Sequence, residues 1–289
     1  MATHTGAAPS RGRRFVSQLR RLYAVPTAAF GTTVFVLFLA LALLGPWIAP
    51  YGANQQDYQG ARMAPSSLHW FGTDHLGRDV FSRVLLGAGE ILWLSGGGTL
   101  LAVLCGTAIG LLSGYLGGWL DELIMRLFDS LLALPALLLA LLMLGILGAS
   151  AWSVLIVMVV VYTPIVARVV RSVVLSVKTR GFVEAARLQG ESLGWILFRE
   201  ILPSVLPTLA VETAVRFSYG IFLVASLGFL GVGVQPPSPN WGLMVKEARQ
   251  TISQTPWALY YPAGAISILV IGVNLMADGL KRIFQTRHD

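Results

Sequence analysis

The chain has 289 residues, 55% of them hydrophobic and only 12% charged, with a net charge of +7 and a mean hydropathy of +0.70. Soluble domains average about 25% charged residues, so this chain cannot cover itself with polar surface and belongs in a lipid bilayer. The basic balance reads as basic cytoplasmic loops rather than nucleic-acid binding, and the single cysteine, Cys105, excludes an intrachain disulfide and a Cys-based metal site.

Residues 1–25 carry Arg11, Arg13, Arg14, Arg20 and Arg21 and read as a basic cytoplasmic segment. Ala28 to Ile48 is 21 residues without a charge. That exceeds the core of a signal peptide, about 7–15 residues, and is enough to cross a bilayer. The first span is placed at residues 27–48, opening a transmembrane region that extends to residue 283. Residues 50–90 form a polar extracytoplasmic loop around Trp70-Phe71-Gly72-Thr73-Asp74-His75-Leu76-Gly77-Arg78-Asp79, with a helix restarting near Val80. Asp74, His75 and Asp79 are nominal metal ligands. Two carboxylates and a lone histidine beside Arg78 and Arg83 are more often a self-satisfied polar loop, so no metal site is assigned.

Ile91 to Leu120 is free of charge and supplies the second span, residues 91–116. Its glycines, Gly106, Gly110 and Gly114 among them, allow membrane helices to pack backbone to backbone. Ser130 to Ala167 is 38 residues without a charge. One helix of that length would reach about 57 Å, against a hydrocarbon core of about 30 Å. The run must fold back at Leu147-Gly148-Ala149-Ser150, giving spans at 123–147 and 152–172, with kinks expected at Pro135 and Pro164. Asp129 is expected to cap a helix or pair with Arg126.

Residues 178–203 hold the densest mixture of charged and small residues: Gly181-Phe182-Val183-Glu184-Ala185-Ala186-Arg187-Leu188, a turn at Gly190, and an apolar helix ending at Ile201-Leu202-Pro203. This is a short helix-turn-helix between spans. Ala185 and Ala186 would let another surface approach the backbone, and Glu184 offers a charge to a basic partner. Pro203 ends the second helix or begins the next element. Span five, residues 205–231, contains Glu212 and Arg216 at i, i+4, hence on one face. Charges inside a span are costly, so the two should pair and face the protein interior or a water-filled path. Both a translocation-path patch and a structural ion pair are compatible with that spacing. Gly228 to Gly242 forms a Gly/Pro-rich ordered loop; Trp241 and Trp257 suit a membrane-water interface. Span six covers 259–279, and 284–289 is a tail.

Six spans put both termini on one side. With the amino terminus inside, 15 of the 21 lysines and arginines lie in inside segments and 5 outside, which places both termini and the 178–203 loop in the cytoplasm.

The string Glu184-Ala185-Ala186, three residues, Gly190, then Ile201-Leu202-Pro203 resembles the EAA loop of bacterial ABC-importer permeases. The family's isoleucine slot holds Glu200 here, with Ile201 one position later. FGTDHLGRDVFSR (residues 71–83) and the Phe229 to Gly242 loop further resemble the peptide-type branch: dipeptide, oligopeptide, nickel and glutathione importers. Family members usually carry Arg straight after the Gly-Ala pair, where this chain has Gly89 and then Glu90; the local charge is reversed, which makes Glu90 a candidate specificity residue at the outer edge. The resemblance implies an all-α protein with the type I ABC-importer permease fold, in the bacterial plasma (inner) membrane. It implies as partners a second, homologous permease subunit, two ATP-binding subunits and an extracytoplasmic substrate-binding protein. The implied coupling residues are Glu184, Ala185, Ala186, Gly190, Ile201, Leu202 and Pro203; the pathway candidates are Glu212, Arg216 and Glu90. No Walker-type GxxxxGK[ST] is present, so ATP is expected in the partner ATPases, with no cofactor and no catalysis in this chain. The rival from another class is an ion-coupled secondary transporter, for which inverted repeats would be the signal; none is evident.

Overall fold

The structure, a computed structural model, describes Tyr23 and residues 25–285. The basic residues of the amino-terminal segment up to Arg21, and the last residues of the tail, lie outside the described residues. Within them the chain is helical: α1 Pro26–Ile48, α2 Val80–Leu116, α3 Gly118–Leu132, α4 Ala136–Leu147, α5 Ala151–Val177, α6 Gly181–Leu188, α7 Leu193–Leu230, α8 Trp241–Arg249 and α9 Trp257–Gln285. Five of these helices are long and apolar enough to cross a membrane, and the bent pair α3–α4 makes a sixth if it is one span.

Each helix boundary has a local cause. Pro26 starts α1 where its missing N–H costs nothing. Asp79 caps α2, its carboxylate accepting the Ser82 N–H at 2.7 Å. The helix therefore begins eleven residues before the span placed at 91–116, so the outer loop is shorter than residues 50–90. The fold-back falls at the expected turn: Gly148 ends α4 with φ 78°, and Ser150 caps α5. Pro164 sits buried inside α5 without interrupting it.

Pro135 does more than kink. The span placed at 123–147 is broken between α3 and α4, which meet at 93°. Pro135 has no N–H to continue the ladder, and Ala136 starts a new helix directly after it. α3 and α4 thus do not run on as one straight helix.

The α2–α5 pair is the most extensive helix contact in the molecule. Gly106, Gly110 and Gly114 recur every fourth residue on α2 and face α5. A Cβ on Gly110 would lie 2.5 Å from the Ala167 carbonyl oxygen, and one on Gly106 would lie 2.9 Å from the Thr163 oxygen. Only glycine permits that approach, and the close packing replaces the hydrophobic drive that lipid does not supply. α1 and α9 meet in the same manner through Gly31 and Gly272. Two apolar clusters result. The larger joins α1, α2, α4, α5, α7, α8 and α9; the smaller, built on Val170, Val174, Val183, Ile196, Leu197 and Ile201, seats the 178–203 hairpin on α2 and α5.

Candidate functional site

The hairpin at residues 181–201 is ordered by its own backbone. α6 ends with Gln189 still right-handed and Gly190 at φ 75°. The Gly190 N–H donates to the Arg187 oxygen (3.0 Å) and the Glu191 N–H to the Ala186 oxygen (3.1 Å). These two bonds make a Schellman motif, which satisfies the last carbonyls of the helix. Ser192 then caps the second limb, its hydroxyl accepting the Trp195 N–H.

The two alanines of the motif separate. Ala186 is buried with Val183 against Ile196, Leu197 and Ile201, whereas Ala185 and Glu184 are exposed. The expectation that both alanines face an approaching surface is therefore corrected: Ala186 serves the hairpin's internal packing. The outward surface comprises Phe182, Glu184, Ala185 and Leu188, with Leu188 85% exposed.

The second limb explains why isoleucine stands one position late. Ile196–Ile201 is π-helical, and the Leu202 N–H donates to the Leu197 oxygen five residues back. In an α-helix the residue one turn below Ile196 would be Glu200; in the wider π turn it is Ile201. Ile201 is accordingly fully buried and Glu200 only partly so. Pro203 neither ends the limb nor separates it from span five. It occupies the first turn of the α-helix resuming at Leu202, where a missing N–H is tolerated, and Leu193–Leu230 is one continuous rod. Leu202 is half-buried and Pro203 exposed.

Polar contacts invisible as motifs fasten the hairpin to the bundle. Arg187 Nε donates to the Tyr115 hydroxyl at 2.8 Å, with its guanidinium over that ring, and Lys178 Nζ donates to the Gly114 oxygen at 2.8 Å. Nearby, Arg171 on α5 holds Asp121 on α3 through two bonds of 2.7 and 2.6 Å, a bidentate pair. Asp129 is another correction. Arg126 is engaged by Glu122, one turn away on α3, while Asp129 reaches across to Arg168 of α5.

Glu212 and Arg216 do pair, Nε to Oε1 at 2.6 Å, and both are largely buried at 15% and 16% exposure. They sit midway along the α7 rod, Glu212 about 15 Å and Arg216 about 21 Å from Leu202 at ~1.5 Å per residue. Arg216 lines a cavity of about 300 Å³ together with Tyr162, Tyr219 and apolar residues from the α3–α4 break, including Leu131 and Leu137. Its guanidinium lies 5.1 Å from the centre of the Tyr219 ring.

Glu90 is not among that cavity's wall residues. It accepts from Ser238 Oγ and from Asn240 Nδ2 (3.4 Å), so it is tied to the Gly/Pro loop before α8. The surrounding outer loop pairs its charged groups internally, although Arg83 Nε is buried without a hydrogen-bond partner. Arg78 donates to Asp74 (2.6 Å) and Glu247 (2.5 Å), His69 Nδ1 meets Asp79 (2.9 Å), and Arg83 donates to the Ala53 and Ser238 carbonyls. Glu247, far away in sequence, was the unforeseen member. Trp241 is corrected as well: it is fully buried, donating to the Val84 oxygen (3.0 Å) and packing against Phe38, while Trp257 donates to the Thr73 oxygen. Trp241 is thus a core residue covered by α1 and α2, and Trp257 is half-buried against the loop that precedes α2.

Comparison with known proteins places this architecture. Residues 106–288 match the family described as binding-protein-dependent transport system inner membrane component, and residues 14–65 match the N-terminal TM domain of oligopeptide transport permease C. The chain is 39% identical over 254 residues to the dipeptide transport system permease protein DppC of Alkalihalophilus pseudofirmus, covering 88% of this chain and 84% of that protein. It is 41% identical over 272 residues to the glutathione transport system permease protein GsiD of Escherichia coli O6:K15:H31, covering 92% and 88%. Among solved structures, the MetNI methionine ABC transporter in inward-facing conformations is similar in fold, with a TM-score of 0.50 and 21% identity over 68% of this chain and 93% of that one.

Proposed function

The chain belongs to the family of binding-protein-dependent transport system inner membrane components, the permease subunits of ABC importers, and on that premise we propose how it works. It forms half of a translocation pathway for peptides or a related small solute, completed by a second, homologous permease. Two ATP-binding subunits grip the Phe182–Leu188 surface from the cytoplasm, and an extracytoplasmic binding protein delivers the solute. ATP is bound and hydrolysed in those partners.

One observation carries the reading: the second limb of the hairpin and span five are a single rod. A displacement of the hairpin by closing ATPases therefore cannot stop at the membrane surface. It is transmitted along α7 to Glu212 and Arg216 as a rigid-body movement. The internal packing of Val183 and Ala186 against Ile201 makes both limbs move together. The uneven distribution of lysine and arginine supports a cytoplasmic hairpin. The dipeptide and glutathione permeases among the relatives support a peptide-type solute. An ion-coupled carrier finds no support among those relatives, which are permease proteins of transport systems by name.

The test is reconstitution in liposomes with the partner ATPases and binding protein. Solute uptake that requires ATP, and ATP hydrolysis stimulated by the loaded binding protein, are the expected results. Uptake by this chain under an ion gradient alone would overturn the reading.

A further inference from the structure

The cavity at Arg216 does not end there. A second cavity of about 380 Å³ lies further along α7, toward Phe229, Leu230 and Gly242, and the two share Leu137, Phe222 and Ser226 as walls. Together they make one groove running from the middle of the α7 rod to its outer end. Each part has the size of a small-molecule site. The walls are apolar but for Tyr162, Tyr219, Ser226 and Ser267, and Arg216 is the one charged residue in them among the described residues.

The orientation of Arg216 decides what the groove would accept. Its Nε donates to Glu212, which is not part of the cavity wall, so the carboxylate stands behind the guanidinium. No hydrogen bond among the described residues engages its two terminal nitrogens. A guanidinium can hold one carboxylate at its Nε side and a second at its end, in a planar fork. The Tyr219 ring, 5.1 Å away, restrains the plane of that fork. The groove therefore offers a fixed end-on donor pair and an apolar trough, with the positive charge already half-balanced. That combination fits a singly charged carboxylate carrying an apolar body. It does not fit a multiply charged phosphate.

We propose that Arg216 is a substrate-contacting residue of the pathway, receiving the terminal carboxylate of a short peptide whose side chains lie along the groove toward Ser226; the proposal rests on the peptide-importer reading above. Glu212 positions the guanidinium and touches no substrate.

The test uses the assembled transporter, with this chain carrying Cys105→Ser and Ser226→Cys. Modification of position 226 by a thiol reagent is followed by the mass of this subunit. Alanyl-phenylalanine and its carboxamide are the probes. The dipeptide is expected to slow modification, and the carboxamide to need about tenfold or more higher concentration for the same protection, as loss of a charge-assisted hydrogen bond implies. Adding Glu212→Gln together with Arg216→Gln, which leaves no lone buried charge, should erase the difference between the probes. Equal protection by both probes, a difference that survives the double substitution, or no protection by either would overturn the proposal. ATP hydrolysis stimulated by the binding protein is measured on the same preparation. If it persists while protection is absent, this site is wrong and the importer reading stands; if it is lacking in the parent chain, the importer reading itself fails.

Discussion

Replacing Gly190 isolates conformation from contact. The residue sits at φ 75°, and a Cβ built on it would meet nothing within 4 Å. Any cost of substitution is therefore backbone strain, not a clash. The left-handed region costs an ordinary residue about 1–2 kcal/mol, less for asparagine and more for a β-branched residue. Since about 1.4 kcal/mol is a factor of ten, Gly190→Ala should reduce the fraction of hairpins in the docking geometry by roughly 5–30-fold relative to alternatives. Gly190→Asn should retain most coupling, and Gly190→Val should lose the most. The assay is ATP-driven uptake by proteoliposomes holding the complete transporter, with ATP hydrolysis measured in parallel. Membrane insertion and helical content should be unchanged across the series, because α6 and the second limb have other anchors. Uptake indifferent to the side chain, or a loss ordered by side-chain volume with Asn worse than Ala, would refute the argument.

Ile201→Ala removes a fully buried side chain from the interface of the two limbs and should cost about 2–4 kcal/mol there; faster amide exchange across residues 181–201 without change in α1 or α9 is the expected readout. Gly110→Val drives a Cβ to 2.5 Å from the Ala167 oxygen and should prevent α2 from seating on α5, seen as loss of monodisperse protein in detergent. Glu247→Ala strips one partner from two buried arginines, Arg78 and Arg83. Asp74 remains, so the loss should be about 2–3 kcal/mol rather than the upper end for a broken buried pair, measured by thermal unfolding.

Much of this fold was legible because lipid imposes length. Charge-free runs of more than about 20 residues named most of the spans, and the excess length of Ser130–Ala167 forced the fold-back at Gly148. The break at Pro135 was not legible as a break: an apolar run with proline reads the same whether neighbours straighten it or let it turn through 93°. The hairpin's turn could be read from Gly190, since few other residues suit that backbone. Its inner face could not be settled, because Ala185 and Ala186 differ only in phase, and the phase depends on what packs below. The displaced isoleucine looked like a flaw in the motif until the π turn accounted for it. Trp241 was misjudged on residue type alone; its packing against Phe38 of α1 and Gly87 of α2, a tertiary event, decided its burial. Long-range ion pairs such as Arg78–Glu247 and Asp121–Arg171 carry no local signature.

The block around Arg78 and Arg83 is built to the opposite specification from the hairpin. Arg78 and Arg83 bind the 49–79 loop, the start of α2 and helix α8 into one block through buried charges. Prising those groups apart would strand a guanidinium without a counter-ion, a penalty of several kcal/mol. A beam swings only about something that does not yield. Under the coupling proposed above, this collar would be the fulcrum of α7, so that a push on the hairpin becomes tilt rather than mere sliding.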